Sequence, residues 1–403
     1  MKSSLEQLAI FGGVPAFQEK LHVGRPNIGN RERLLERINQ LLDRKWLTNG
    51  GPFEQEFEER VAALLGVRHC ISICSGTVAL EIAFRASGLT GEVIVPSFTF
   101  IATAHALQWQ KITPVFCDID PHTHTLDPAK VEQLITTRTS GIVGVHVWGQ
   151  SCDVKALTDI AGRHGLKLLF DAAHAFGCSY EGRPIGNFGD AEVFSFHATK
   201  FFNTFEGGAI VTNDDALAAA VRLMRNFGFT GYDDVVSVGT NGKMSEISAA
   251  MGLTGLESLE DFIAVNYRNY KCYQQELADL PGIRLFPHNE SQRGNYQYIV
   301  LEIDQAVTQI SRDRLMQVLW AENILARRYF YPGCHRMEPY SSHYSDAAQP
   351  LPETEKIADR VLCLPTGMSV TPTDIAVICR IIRTAIQGVD AVNRRLETGA
   401  ARI

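Results

Sequence analysis

The spacing of apolar and polar positions changes character twice along the chain. Residues 30–45 carry Leu34, Leu35, Ile38, Leu41 and Leu42 at the three-and-four spacing of an amphipathic helix. The turn-forming run Thr48-Asn49-Gly50-Gly51-Pro52 ends it, and a second helix is predicted from Phe53 to Leu65, stopped by Gly66. Short apolar runs then recur at His69–Cys74, Glu92–Pro96, Thr113–Cys117, Gly141–Val147, Leu166–Phe170, Ala191–Phe196 and Gly208–Thr212. Helix-like stretches lie between many of them, among them Thr77–Ala86, Thr99–Gln108 and Val154–His164. Continuous apolar runs suit strands covered on both faces. Seven of them interleaved with helices predict an α/β fold with a largely parallel sheet.

After Ala249 the spacing is helical to about Leu280, where Pro281-Gly282 breaks it. The remainder, Ile283 to about Gln387, mixes a strand at Tyr296–Ile303 with helices at Arg312–Glu322 and Thr373–Gln387. A smaller α+β unit is expected there. The predicted division is a large domain over residues 1–255, N-terminal segment included, and a small one over 256–403. The last dozen residues, from Val392, are expected to fray.

Composition narrows the function classes. The chain has 403 residues, 21% of them charged, and a formal charge of −7 with its basic residues scattered, which argues against a nucleic-acid surface. No run approaches the length of a spanning helix, and the segment from Met1 to Phe17 has neither a signal nor a transit pattern. A cytoplasmic protein is expected. Nine cysteines, an odd number without a CxxC pair, read as reduced and mostly buried thiols.

Three strand ends carry candidate chemistry. Lys200 closes Ser195-Phe196-His197-Ala198-Thr199-Lys200, between one apolar run and another that opens with Gly207-Gly208. A lysine desolvated there loses its proton more readily, as Schiff-base chemistry requires. Asp171 ends a second run, and ligands of open α/β sheets gather at such carboxyl ends. Its carboxylate can hold a pyridine nitrogen protonated, or simply cap the next helix. Ser75-Gly76-Thr77 ends a third run and opens a helix, which makes it an anion site or, again, a plain cap. Together the three offer a phosphate cup, a pyridinium partner and a reactive amine, the needs of pyridoxal 5'-phosphate.

At this point the sequence resembles the DegT/StrS-type sugar aminotransferases, a branch of the fold-type-I pyridoxal-phosphate enzymes. The likeness runs from about Phe11 to about Ile386. It rests on Trp46 to Pro52, Ser75-Gly76-Thr77, Pro96-Ser97-Phe98-Thr99-Phe100, Asp171-Ala172-Ala173-His174, Ser195 to Lys200, Glu206-Gly207-Gly208 and Arg328-Tyr329-Phe330-Tyr331-Pro332. The resemblance implies a seven-stranded sheet whose last strand runs antiparallel beside the first. It implies that Lys200 forms the Schiff base and moves the substrate proton, that Asp171 pairs with the pyridine nitrogen, and that Phe100 stacks on the ring. His174, where many relatives carry Gln, would lie near the phenolic oxygen, and Gly76, Thr77 and Ser195 would hold the phosphate. Lys243, with Asn241 second, would reach the phosphate of a partner subunit, which implies a homodimer with shared active sites.

The activity so implied is transamination from glutamate to C4 of dTDP-4-keto-6-deoxyglucose. The alternatives are a 3-keto-sugar or UDP-sugar aminotransferase, or a non-catalytic regulatory protein on the same scaffold. Dehydratases of the family carry His where this chain has Lys200. Asp118, Asp120, His122 and His124 read as a polar loop, not a metal site, and Gly239 to Lys243 has the wrong spacing for a phosphate-binding P-loop. His146 and Trp148 are expected to line the pocket at most.

Overall fold

The computed structural model describes residues 2–343 and 350–397. All seven predicted runs are strands of one sheet: β1 (His69–Ile73), β2 (Glu92–Pro96), β3 (Thr113–Cys117), β4 (Thr139–Val145), β5 (Lys167–Asp171), β6 (Ala191–Ser195) and β7 (Gly208–Thr212). Their order is β1-β7-β6-β5-β4-β2-β3. Only β7 runs antiparallel, pairing Gly208 with Ile73 on one side and with Ser195 on the other. The carboxyl ends of the parallel strands therefore lie along one edge, and the chain re-enters β7 at that same edge. Most β1 to β6 side chains are buried, as a doubly covered sheet requires.

The covering helices include α1 (Arg31–Arg44), α2 (Pro52–Leu65), α3 (Gly76–Ala86), α4 (Ala102–Gln108), α5 (Val154–His164), α6 (Asp215–Arg225) and α7 (Glu246–Glu257). Helix α4 starts later than the predicted Thr99, because Ser97 to Phe100 cross the sheet edge as an open turn. Ser258 joins α7 to α8 (Leu259–Leu277), which belongs to the small unit. There β8 (Ile283–Leu285), β9 (Ile299–Ile303) and β10 (Val361–Leu364) form an antiparallel sheet packed on α9 (Arg312–Ala321) and α10 (Pro372–Gln387).

Two expectations are corrected. The N-terminal segment belongs to the small unit: Leu8, Ile10 and Leu21 are buried with Leu319, Ile324 and Val392, and Leu21 pairs with Ile324 in a short parallel ladder. Ala9 and Ala16 donate their N–H groups to the Glu322 carboxylate at 2.7 and 2.8 Å. Val392 does not fray. It is fully buried in α11 (Val389–Glu397), which contributes about 1.5–3 kcal/mol for a side chain of that size. The rest of the predicted frayed end, residues 398–403, lies outside the described residues. All nine cysteines are free.

A separate apolar cluster joins the two units beneath the sheet edge. Phe98, Val145 and Trp148 of the large unit pack there with Tyr298, Val300, Phe330 and Cys363 of the small one.

Candidate active site

Gly76, Thr77, Phe100, Asp171, His174, Ser195 and Lys200 all line one pocket at the carboxyl edge of the sheet. Ser75 caps α3 by accepting from Val78 N–H at 3.2 Å, so the free N–H groups of the first turn face the cavity. A Cβ on Gly76 would lie 2.8 Å from Ser195 Cβ, and one on Gly208 would lie 2.9 Å from Gly76 N. The helix start, the end of β6 and the start of β7 approach this closely only because glycines stand there, which leaves backbone N–H groups open to an anion.

Asp171 is buried. Its Oδ2 accepts from Thr103 Oγ1 at 2.8 Å and its Oδ1 from Ala173 N–H at 3.0 Å, so it does serve the following turn as a local cap. Burial pushes its carboxyl up from the usual range, against those hydrogen bonds and the Lys200 charge. The two bonds hold both oxygens in place, and no cation touches either among the described residues. A protonated ring nitrogen is the partner such a carboxylate lacks.

Lys200 follows a turn closed by its own N–H to His197 O at 2.8 Å. Burial lowers its amine to about 8, with the Asp171 charge opposing. Its Nζ lies 3.4 Å from Tyr298 Oη, which is 3.2 Å from His174 Nε2. Burial keeps His174 neutral and Tyr298 protonated by moving the first well down and the second well up. Tyr298 arrives from the small unit because Asn295 Nδ2 donates to the carbonyls of His174 and Phe176 at 2.9 and 3.0 Å. Phe100 is 58% exposed at the pocket wall, positioned to cover a planar ligand.

Asn241 and Lys243 do not line this pocket in their own chain. Gly242 O accepts from Cys74 N–H at 2.7 Å, beside the cradle, and Lys243 Nζ stands 4.4 Å from the centre of the Phe227 ring. His146 and Trp148 also fall short of the cavity. His146 turns beneath β5 toward Glu192 at 3.3 Å, and Trp148 lies behind His174 with its ring parallel to that imidazole. The Asp118 to His124 segment folds as a polar loop, with Asp120 accepting from His122 and Thr123 N–H at 2.8 and 2.9 Å. No metal-binding cluster occurs among the described residues. Sequence reasoning missed Tyr298 and Arg327, which complete the wall with Tyr329 and Phe330.

The DegT/DnrJ/EryC1/StrS aminotransferase family pattern matches residues 29–383. The chain belongs to that family. Among relatives, the dTDP-4-amino-4,6-dideoxy-D-glucose transaminase of Escherichia coli is 38% identical over 346 residues, 85% of this chain and 92% of that one. The GDP-perosamine synthase of Caulobacter vibrioides is 37% identical over 361 residues, 88% and 95% of the two chains. The structure of DesI, analysed in the presence of its TDP-sugar product, is 51% identical with a TM-score of 0.93, covering 98% of this chain and 100% of that one. As a member of this family the protein is a sugar aminotransferase, its fold is fold type I, and its cofactor is pyridoxal 5'-phosphate. The cradle, the buried carboxylate and the depressed lysine fit that cofactor. No helix among the described residues is long and apolar enough to cross a membrane.

Proposed function

We propose that the enzyme moves an amino group from glutamate to C4 of dTDP-4-keto-6-deoxyglucose, giving dTDP-4-amino-4,6-dideoxy-D-glucose. The observation that carries the substrate is the 51% identity, over nearly the whole chain, to DesI, whose structure was analysed with its TDP-sugar product. The name of the Escherichia coli relative supports the same sugar. GDP-perosamine synthase at 37% identity supports a second reading, a GDP-linked keto sugar.

Bound pyridoxal phosphate supplies an electrophilic carbon and a ring that takes up electron density. Lys200 Nζ, a free base above about pH 8, would hold the cofactor and would carry the proton to and from the reacting carbon. Asp171 would keep the ring nitrogen protonated. Gly76, Thr77 and Ser195 would bind the phosphate, Phe100 would cover the ring face, and His174 would stand near the phenolic oxygen. The aromatic layer of Trp148, Tyr298 and Phe330 keeps water from the floor.

A homodimer belongs to this reading, with Lys243 or Asn241 of one subunit serving the phosphate in the other. Its support is an apolar surface that a lone chain leaves in water: Leu35, Leu42, Trp46 and Leu47 are 48–55% exposed, and Val235, Val236 and Val238 more so.

The test is to incubate the purified enzyme with glutamate and a panel of dTDP-, GDP- and UDP-linked keto sugars. Production of 2-oxoglutarate and 4-amino sugar with the dTDP substrate supports the proposal. Turnover confined to another nucleotide, or to a 3-keto sugar, would overturn the substrate assignment.

A further inference from the structure

Arg327 is the one guanidinium among the side chains that line the pocket. Its backbone is fixed to β10, donating to Cys363 O at 3.0 Å and accepting from Cys363 N–H at 2.7 Å. Its guanidinium carbon lies 5.8 Å from the centre of the Tyr329 ring, a stacking contact that steadies a long side chain without using its N–H donors. Among the described residues it makes no ion pair. The next residue is arranged differently: Arg328 pairs with Asp313 at 3.1 Å and lies over Tyr331.

The other lining charges are already engaged. Lys200 and Asp171 serve the cofactor, and Glu206 stands 3.5 Å from His197. An unpaired guanidinium held at a β-bridge to Cys363, facing a cavity, matches a carboxylate or phosphate oxygen pair. Under the proposed reaction, on which this inference rests, two dissimilar substrates enter the pocket in turn. One is an amino acid bearing two carboxylates, and the other is a sugar bearing a diphosphate. What they share is an oxyanion at a distance from the reacting carbon.

We propose that Arg327 is the receptor for this shared oxyanion and orients each substrate toward Lys200. One fixed cation would then serve both halves of a ping-pong reaction, with the remaining lining residues left to distinguish the two bodies. Binding, not chemistry, is where its loss should register.

The experiment compares the wild-type holoenzyme with R327K and R327Q by calorimetric titration, using succinate and dTDP as separate probes. Cofactor absorbance serves as a check that each variant is loaded. R327Q should weaken binding about tenfold or more, the worth of one charge-assisted contact, and R327K should fall between. Weakening of both probes supports the shared role, whereas weakening of succinate alone or of dTDP alone overturns it and leaves Arg327 serving one substrate only. A wild-type protein that binds neither probe, or an R327Q variant that binds both as wild type does, overturns the inference. Succinate binding requires neither turnover nor a dTDP-linked sugar, so a wrong sugar assignment leaves that arm of the test unchanged.

Discussion

The Tyr298 hydroxyl stands 3.4 Å from Lys200 Nζ, a contact between the small unit and the reactive lysine of the large one. Trp148 N–H donates to His174 Nδ1 at 3.3 Å, so the neutral imidazole carries its proton on Nε2 and directs it at the same phenol oxygen. Lys200 Nζ donates to that same oxygen at 3.4 Å, so the phenol gathers both groups. Tyr298→Phe should keep cofactor binding but lower kcat about fivefold, the worth of one positioning hydrogen bond, with little change in KM. Steady-state kinetics beside a cofactor titration checks this. An equal rise in KM would point to a binding role instead.

The burial of Lys200 has a pH consequence. Its amine is lowered to about 8, so the reactive free base becomes the major form above that pH instead of near the ordinary lysine value of 10.5. In cofactor-free enzyme, acetylation of Lys200 followed by peptide mass spectrometry should therefore rise with pH through a midpoint near 8. A midpoint near 10 would refute the desolvated setting. Lys200→Ala should abolish turnover in a folded protein.

Replacing Asp171 with Asn removes the charge proposed to hold the ring nitrogen's proton while keeping a polar partner for Thr103. Turnover should fall roughly 100-fold or more, with cofactor still bound. Near-normal kcat in this variant would be incompatible with the role given to Asp171.

Much of this site was legible because the residues that the sequence singles out sit next to apolar runs. Asp171 and Ser195 end strands and Gly76, Thr77 and Lys200 follow strands whose ends meet the common edge, so strand order gathers them. Tyr298 and Arg327 carry no such signal. Their arrival depends on Asn295 and its bonds to His174 and Phe176, a tertiary contact that no local spacing encodes. Helix α1 marks a second limit. Leu34 and Leu41 are buried, whereas Leu35 and Leu42 at the same helical spacing face solvent. Apolar periodicity does not distinguish a core face from one suited to a second copy.

Gly76→Ala tests the cradle. The new Cβ would meet Ser195 Cβ at 2.8 Å and its Oγ at 3.0 Å, so the serine must shift from the phosphate side. Apparent affinity for pyridoxal phosphate should drop roughly tenfold, consistent with the 1–3 kcal/mol typical of overpacking. Unchanged retention on dialysis would show that the cradle is not where the phosphate sits.

Lys243→Ala should weaken cofactor retention about tenfold in the dimer without unfolding it, as loss of one cation beside a phosphate implies. Analytical ultracentrifugation and cofactor titration together check this. Unaltered retention by both Lys243→Ala and Asn241→Ala would remove the cross-subunit role.

The docking of the N-terminal segment bears on how the chain is made. Leu8 and Ile10 complete a core whose other walls include Leu319, Ile324 and Val392. Leu8 and Ile10 must therefore wait for more than three hundred later residues before Leu319, Ile324 and Val392 exist. A nascent chain stalled after α7 would hold all seven strands of the sheet and an apolar segment around Leu8 with nowhere to bury, exposed to chaperones or to self-association. A gene fragment beginning at Ser258 would encode the small unit with one wall missing.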